Sequence, residues 1–182
     1  METREQMFNV RDELQHLSVE EIRKHQPKNG FAVCVFNVLG DLNVGTILRS
    51  SVLFGADKFY VAGRNKLDRR SMVGAQNYID IIKLDNYDLS NDTIDVSSTF
   101  DTIRKDGYQV VCCEIGGERS DDVDWKYYSK PCFIFGNEGI GLPEEAILNS
   151  DVVTTIPQLG VMRSHNVSVA SGIIMYEFMR GK

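Results

Sequence analysis

No stretch of this chain approaches the roughly 20 consecutive apolar residues that a membrane-spanning helix needs, and its first residues, METREQMFNVRDE, are polar. These absences argue against a membrane protein and against a secretory leader, and they point to the cytoplasm. Cysteine is scarce: Cys34, Cys112, Cys113 and Cys132 are the four present, with no CxxC spacing. A disulfide framework or a zinc site is disfavoured, and thiols inside apolar runs read as buried and free. The three histidines, His16, His25 and His165, share no ligand spacing, so no metal is expected. Positive charge is in the minority, with 20 Lys and Arg against 26 Asp and Glu. A protein that coats nucleic acid non-specifically would be basic, because phosphate contacts dominate such affinity. RNA stays open as a substrate if the basic footprint is local. The dinucleotide fingerprint GxGxxG and the phosphate loop GxxxxGK[ST] are both missing. No repeat or linker divides the chain, so residues 1–182 read as one domain, with a helical lead-in over 1–30 and the core over 31–182.

What is present alternates. Residues 31–38 (FAVCVFNV), 58–63, 78–84 and 108–115 are apolar, β-branched runs expected of buried strands, and two more strands follow near 131–135 and 152–156. Between them lie helical signals. Ser18 and Glu21 form a capping box. Asn43 is placed to cap a helix that ends at Gly55, and Gly107 stops another helix over 99–106. Pro143 suits the first position of a short helix. Residues 85–98 read as irregular, and GGERSDDVDW (116–125) reads as an acidic loop. The pattern predicts an α/β fold, a mostly parallel sheet with helices on both faces, whose ligands bind at the carboxyl edge of the strands.

Four stretches carry candidate chemistry. In GNEGIG (136–141), three glycines surround Asn137 and Glu138, a tight turn whose polar pair suits a cleft. In Asn43-x-Gly45-x-x-x-Arg49, the arginine sits among Leu48, Val52 and Leu53, where it needs an ion partner or a cleft. Ser164-His165-Asn166 opens the last helix, with a plain N-cap as the competing meaning. Arg64, Lys66, Arg69 and Arg70 follow a strand's carboxyl end, which suits phosphate contact as well as a solvated loop. The last helix is apolar on two sides, one through Val167, Ala170, Ile174 and Phe178, the other through Val169, Ile173 and Tyr176. The second side predicts a partner surface, most simply that of a homodimer.

Three of these stretches, NVGTILRSSVLFGAD, FIFGNEGIGLPEEAI and IPQLGVMRSHNVSVASGIIMYEF, together resemble the SpoU/TrmH family of RNA ribose methyltransferases within the knotted SPOUT superfamily. The resemblance runs from about residue 31 to the end. It implies a carboxyl-terminal trefoil knot, an obligate homodimer and S-adenosylmethionine as cofactor. It also implies methyl transfer to a ribose 2′-hydroxyl in RNA, with tRNA favoured over rRNA. Carried onto this sequence, it gives Arg49, Asn43, Glu138, Ser164 and Asn166 catalytic roles. Ile115, Gly116, Gly136, Asn137, Ile156, Ser164, His165 and Asn166 would enclose the cofactor, and RNA would be recognised by the catalytic dimer itself, alone or with an accessory protein. His165 departs from the apolar residue that the family commonly carries there. The competing reading is a catalytically silent RNA-binding or assembly subunit of the same fold.

Overall fold

A computed structural model describes residues 9–38, 40–64, 67–91 and 93–182. Helix α1 (Val19–His25) opens with the expected capping box, Ser18 Oγ accepting from the Glu21 amide while the Glu21 carboxylate accepts from that of Ser18. Then come β1 (Ala32–Phe36), α2 (Asp41–Leu53), β2 (Lys58–Ala62), α3 (Arg69–Met72), β3 (Asp80–Leu84), and a small hairpin of β4 (Tyr87–Asp88) and β5 (Thr93–Ile94). The chain continues through α4 (Val96–Lys105), β6 (Gln109–Arg119), β7 (Pro131–Phe135), α5 (Glu144–Asn149), β8 (Val152–Thr155) and α6 (Val167–Gly181).

Among the described residues the main sheet has six strands in the order β3-β2-β1-β7-β6-β8, each pair parallel. Alternation along the strands then builds two cores. Val33, Val35, Phe59, Val61, Phe133 and Phe135 face α2 and α6. On this side the rings of Phe31, Phe133, Phe178 and Trp125 meet edge-on or tilted, at centroid separations from 5.5 to 6.1 Å. Each fully buried phenylalanine contributes about 2–3 kcal/mol of hydrophobic stabilisation. Cys34, Phe36, Tyr60, Cys112, Cys132 and Ile134 point the other way, towards Phe100 and Ile103 of α4 and Ala146 of α5. The expected two-faced α/β architecture is therefore present. All four cysteines are free, and burial pushes the Cys112 thiol up to about 12, which keeps it protonated and unreactive.

Four local expectations need correction. Helix α2 begins at Asp41 with Gly40 as its cap, at φ 79°, so Asn43 lies within the first turn and its side chain is released for another use. Within the stretch read as irregular, Tyr87–Asp88 pairs antiparallel with Thr93–Ile94, and Asp95 caps α4 through the Ser98 amide, starting that helix at Val96. Strand β6 does not stop at Ile115. It shifts register after Cys113 and pairs again, Glu118 and Arg119 opposite Thr154 and Thr155, so Gly116–Gly117 form a bulge inside a strand. Pro143 is the cap preceding α5 and not its first residue.

Candidate active site

The carboxyl ends of β7 and β8, with the bulged middle of β6, open on a cavity of about 420 Å³. Its first wall is the turn after β7. Gly136 is required there because a Cβ would sit 2.7 Å from the Gly141 carbonyl carbon and 2.8 Å from the Leu142 nitrogen. The turn closes on itself through Gly141 N–H to Asn137 O at 2.7 Å, and Gly141 adopts φ 70°. Asn137 is the organiser. Its Oδ1 accepts from the Gly139 and Ile140 amides at 2.8 and 3.2 Å, and its Nδ2 donates to Asn37 O at the end of β1 at 3.1 Å. The second wall is β6 at its bulge, with Glu114 and Ile115, and the third is the stretch after β8, with Ile156, Ser164 and His165.

Glu138 projects from the glycine turn and also lines the cavity. Its Oε1 accepts from Asn43 Nδ2. A carboxylate can only accept, so this contact fixes which way the Asn43 amide points, leaving Asn43 Oδ1 to accept from Asn166 Nδ2 at 3.1 Å. Asn166 in turn caps α6, its Oδ1 accepting from the Ser168 amide at 2.9 Å and the Ser168 hydroxyl at 2.6 Å. One hydrogen-bonded line thus joins segments 95 and 123 residues apart. Helix α2 is held for this by its packing on α3, where a Cβ on Gly45 would fall 1.8 Å from Ser71 Oγ. The glycine of the first motif serves helix contact, and its asparagine serves the site.

Of the residues expected around a cofactor, Ile115, Gly136, Asn137, Ile156, Ser164 and His165 line the cavity. Gly116 and Asn166 do not: Gly116 stands in the β6 bulge at φ 92°, and Asn166 is used as cap and bridge. Arg49 is also outside the cavity wall. It is exposed on α2 and makes no ion pair among the described residues, so the salt-bridge reading of its apolar neighbourhood fails. Leu42, Thr46, Arg49 and Leu53 instead form an exposed stripe along α2, with Leu42 63% and Leu53 76% accessible. Beside it α6, packed on α2, exposes Val169 and Tyr176.

The basic stretch falls beside the amino end of α2. Arg69 and Arg70 begin α3, with Arg70 held by the Asp68 carboxylate at 3.1 Å, and Arg64 lies over the Tyr87 ring. Lys66 lies outside the described residues. Glu114 and Arg163 also line the cavity and were not singled out from the sequence. Glu114 was hidden as the one charge ending an apolar strand, VVCCEI, and Arg163 by its place just ahead of the Ser-His-Asn motif.

A match to the model of the SpoU rRNA Methylase family extends over residues 30–176, which is most of the chain. The chain belongs to the SpoU rRNA Methylase family. This family assignment spans every wall of the cavity. The chain is similar to the mouse tRNA (guanosine(18)-2′-O)-methyltransferase TARBP1, 27% identical over 76% of this chain but only 8% of that protein. It superposes on the A. aeolicus TrmH/SpoU tRNA modifying enzyme with a TM-score of 0.73 at 24% identity, covering 91% of this chain and 84% of the other. An AdoMet-bound rRNA methyltransferase from Sinorhizobium meliloti matches with a TM-score of 0.68 at 28% identity, over 87% of this chain and 59% of that one. The parallel sheet with helices on both faces is thus the architecture of the SpoU enzymes.

Proposed function

We propose that the chain transfers a methyl group from S-adenosylmethionine to a ribose 2′-hydroxyl in RNA, with tRNA as the favoured class. The observation that carries this reading is the line Glu138–Asn43–Asn166, which joins three distant motifs beside a cavity that Glu138 lines. The cavity's volume of about 420 Å³ is in the range of small-molecule sites. Ile115, Ile156 and Ile174 offer apolar surface for a planar base, and the Glu114 and Glu138 carboxylates suit a cationic ligand. Ile115, Gly136, Asn137, Ile156, Ser164 and His165 would hold the cofactor. Its chemistry, when bound, is a methyl group activated on a positively charged sulfur. The preference for tRNA is supported by the name of the mouse relative.

The protein's own residues have two tasks. A ribose hydroxyl is a poor nucleophile and must be oriented as it loses its proton. Glu138, braced by Asn43 and Asn166, is positioned on the cavity wall to receive that hydroxyl. A guanidinium resists deprotonation, so Arg49 holds an RNA phosphate in this reading, and alignment of the reactants supplies much of the rate. Arg49 is six residues beyond Asn43, about 9 Å along the helix axis. A homodimer formed through the α2 and α6 stripes would cover Leu53, Val169 and Tyr176 and would put Arg49 at the subunit boundary. Arg64, Arg69 and Arg70, with Lys66 in the same stretch, supply the local basic footprint for RNA.

Three further expectations belong to the same proposal: a trefoil knot over the carboxyl-terminal segment, an accessory protein in RNA recognition, and a cytoplasmic setting. The one-domain reading, with a core over 31–182, is supported by the continuity of the sheet from β1 to β8. The experiment is transfer of labelled methyl from S-adenosylmethionine to unmodified tRNA and rRNA, followed by digestion to nucleosides. Label on a ribose-methylated nucleoside from tRNA is the expected result. Label on a base, or on neither RNA, would refute it. Arg49→Ala is expected to lower transfer at least a hundredfold with the melting temperature unchanged, because its side chain makes no ion pair or hydrogen bond among the described residues.

A further inference from the structure

Glu114 stands on β6 just before its bulge, half-buried, on the cavity wall. Each of its oxygens has taken a backbone donor. Oε2 accepts from the Leu142 amide at 2.9 Å, and Oε1 accepts from the Ile115 amide at 2.9 Å. The same carboxylate is pressed against the glycine turn: a Cβ on Gly141 would fall 2.5 Å from Oε2. Two N–H donors thus hold both oxygens of this carboxyl group as acceptors. Among the described residues no Lys, Arg or His forms an ion pair with it. A half-buried charge without an opposite partner is costly to keep, and a cation arriving in the cavity would relieve that cost. The other carboxylate on the wall, Glu138, differs because it is turned to Asn43.

We propose that Glu114 is a specificity-determining residue, whose charge makes the cavity prefer the cationic sulfonium of S-adenosylmethionine over the neutral thioether of S-adenosylhomocysteine. This rests on the reading of the cavity as the cofactor site. One feature of geometry separates the charge from the scaffold. A glutamine keeps an acceptor for the Leu142 amide, gives up the one for the Ile115 amide of an exposed residue, and removes the charge, whereas an aspartate keeps the charge and shortens the reach to the turn.

The test is calorimetric affinity for both compounds in the wild-type protein, Glu114→Gln and Glu114→Asp, with each variant's melting curve recorded. In Glu114→Gln the binding of S-adenosylmethionine is expected to weaken about tenfold, the effect of one screened charge at a partly exposed site, while binding of S-adenosylhomocysteine stays within a factor of two. In Glu114→Asp both affinities fall and their ratio stays that of the wild type. An equal loss for both compounds in Glu114→Gln would mean that Glu114 only braces the turn, and the proposal would be overturned. Should Glu114→Gln not fold, Glu114→Ala takes its place: a loss confined to S-adenosylmethionine supports the proposal, and an equal loss for both compounds overturns it. Wild-type protein that binds neither compound would instead remove the cofactor reading, and this inference with it.

Discussion

Asn43→Asp is nearly isosteric, yet it replaces a donor facing Glu138 with a second carboxylate. In the native site Asn43 Nδ2 donates to Glu138 and Oδ1 accepts from Asn166 at 3.1 Å. The substitution leaves the Asn166 contact in place and turns the Glu138 contact into a repulsion. Two unit charges about 3 Å apart repel by roughly 1.4 kcal/mol in water and by roughly 5.5 kcal/mol at an effective dielectric of 20. Glu138 is exposed and Asn43 is partly so, which puts the penalty near the lower end, about 2 kcal/mol. For a chain of this size that corresponds to a fall in melting temperature of about 4–8 °C at pH 7. The assay is thermal unfolding followed by circular dichroism. Its control is the double variant Asn43→Asp with Glu138→Gln, in which donor and acceptor exchange sides and the line to Asn166 is kept. The double variant is expected to recover most of the lost stability. If Glu138→Gln gave Asn43→Asp no rescue, the contact joining the first and second motifs would be refuted, and with it the geometry of the site.

Two other outcomes follow from particular residues. Gly136→Ala would drive a methyl group into backbone atoms at 2.7 and 2.8 Å that no side-chain rotation can clear. The turn must shift, so affinity for S-adenosylhomocysteine is expected to drop at least tenfold while far-ultraviolet circular dichroism stays native; undiminished binding would take the turn out of the site. Asp106 is held below the usual carboxylate range, first by its hydrogen bond from Lys58 and then by that from Tyr60. A lowered native value means that its stabilising effect is full above the unfolded value near 4 and is lost as the pH falls below it. Melting temperatures measured from pH 7 down to pH 3 are therefore expected to fall less steeply for Asp106→Asn than for the wild type, and parallel curves would contradict this.

Much of the fold was legible because it depends on local pattern. Continuous apolar runs such as 31–38 can only be strands buried on both faces, and their alternation with helices leads to a parallel sheet. The capping box at Ser18 and Glu21 and the cap at Asn166 involve atoms at most three residues apart, and both are formed as expected. Errors arose where a distant partner decided the outcome. The bulged half of β6, GGER, looks like a loop in sequence and becomes a strand only because Thr154 and Thr155 lie alongside to pair with it. Asn43 looks like a helix cap, and its side chain bridges Glu138 and Asn166 instead because Gly40 has taken the cap position.

The candidate site divides in the same way. By itself the sequence determined the motifs, the three glycines of the turn and the chemical types at the strand ends, and through them the family. Only the tertiary structure decided that Glu138, Asn43 and Asn166 form one hydrogen-bonded line, that Glu114 has no ion partner among the described residues, and that Arg49 is exposed. The physical reason is directionality over distance. Apolar burial is non-directional and leaves its period in the sequence, whereas a hydrogen bond is set by where two remote side chains point once the strands have been ordered into a sheet.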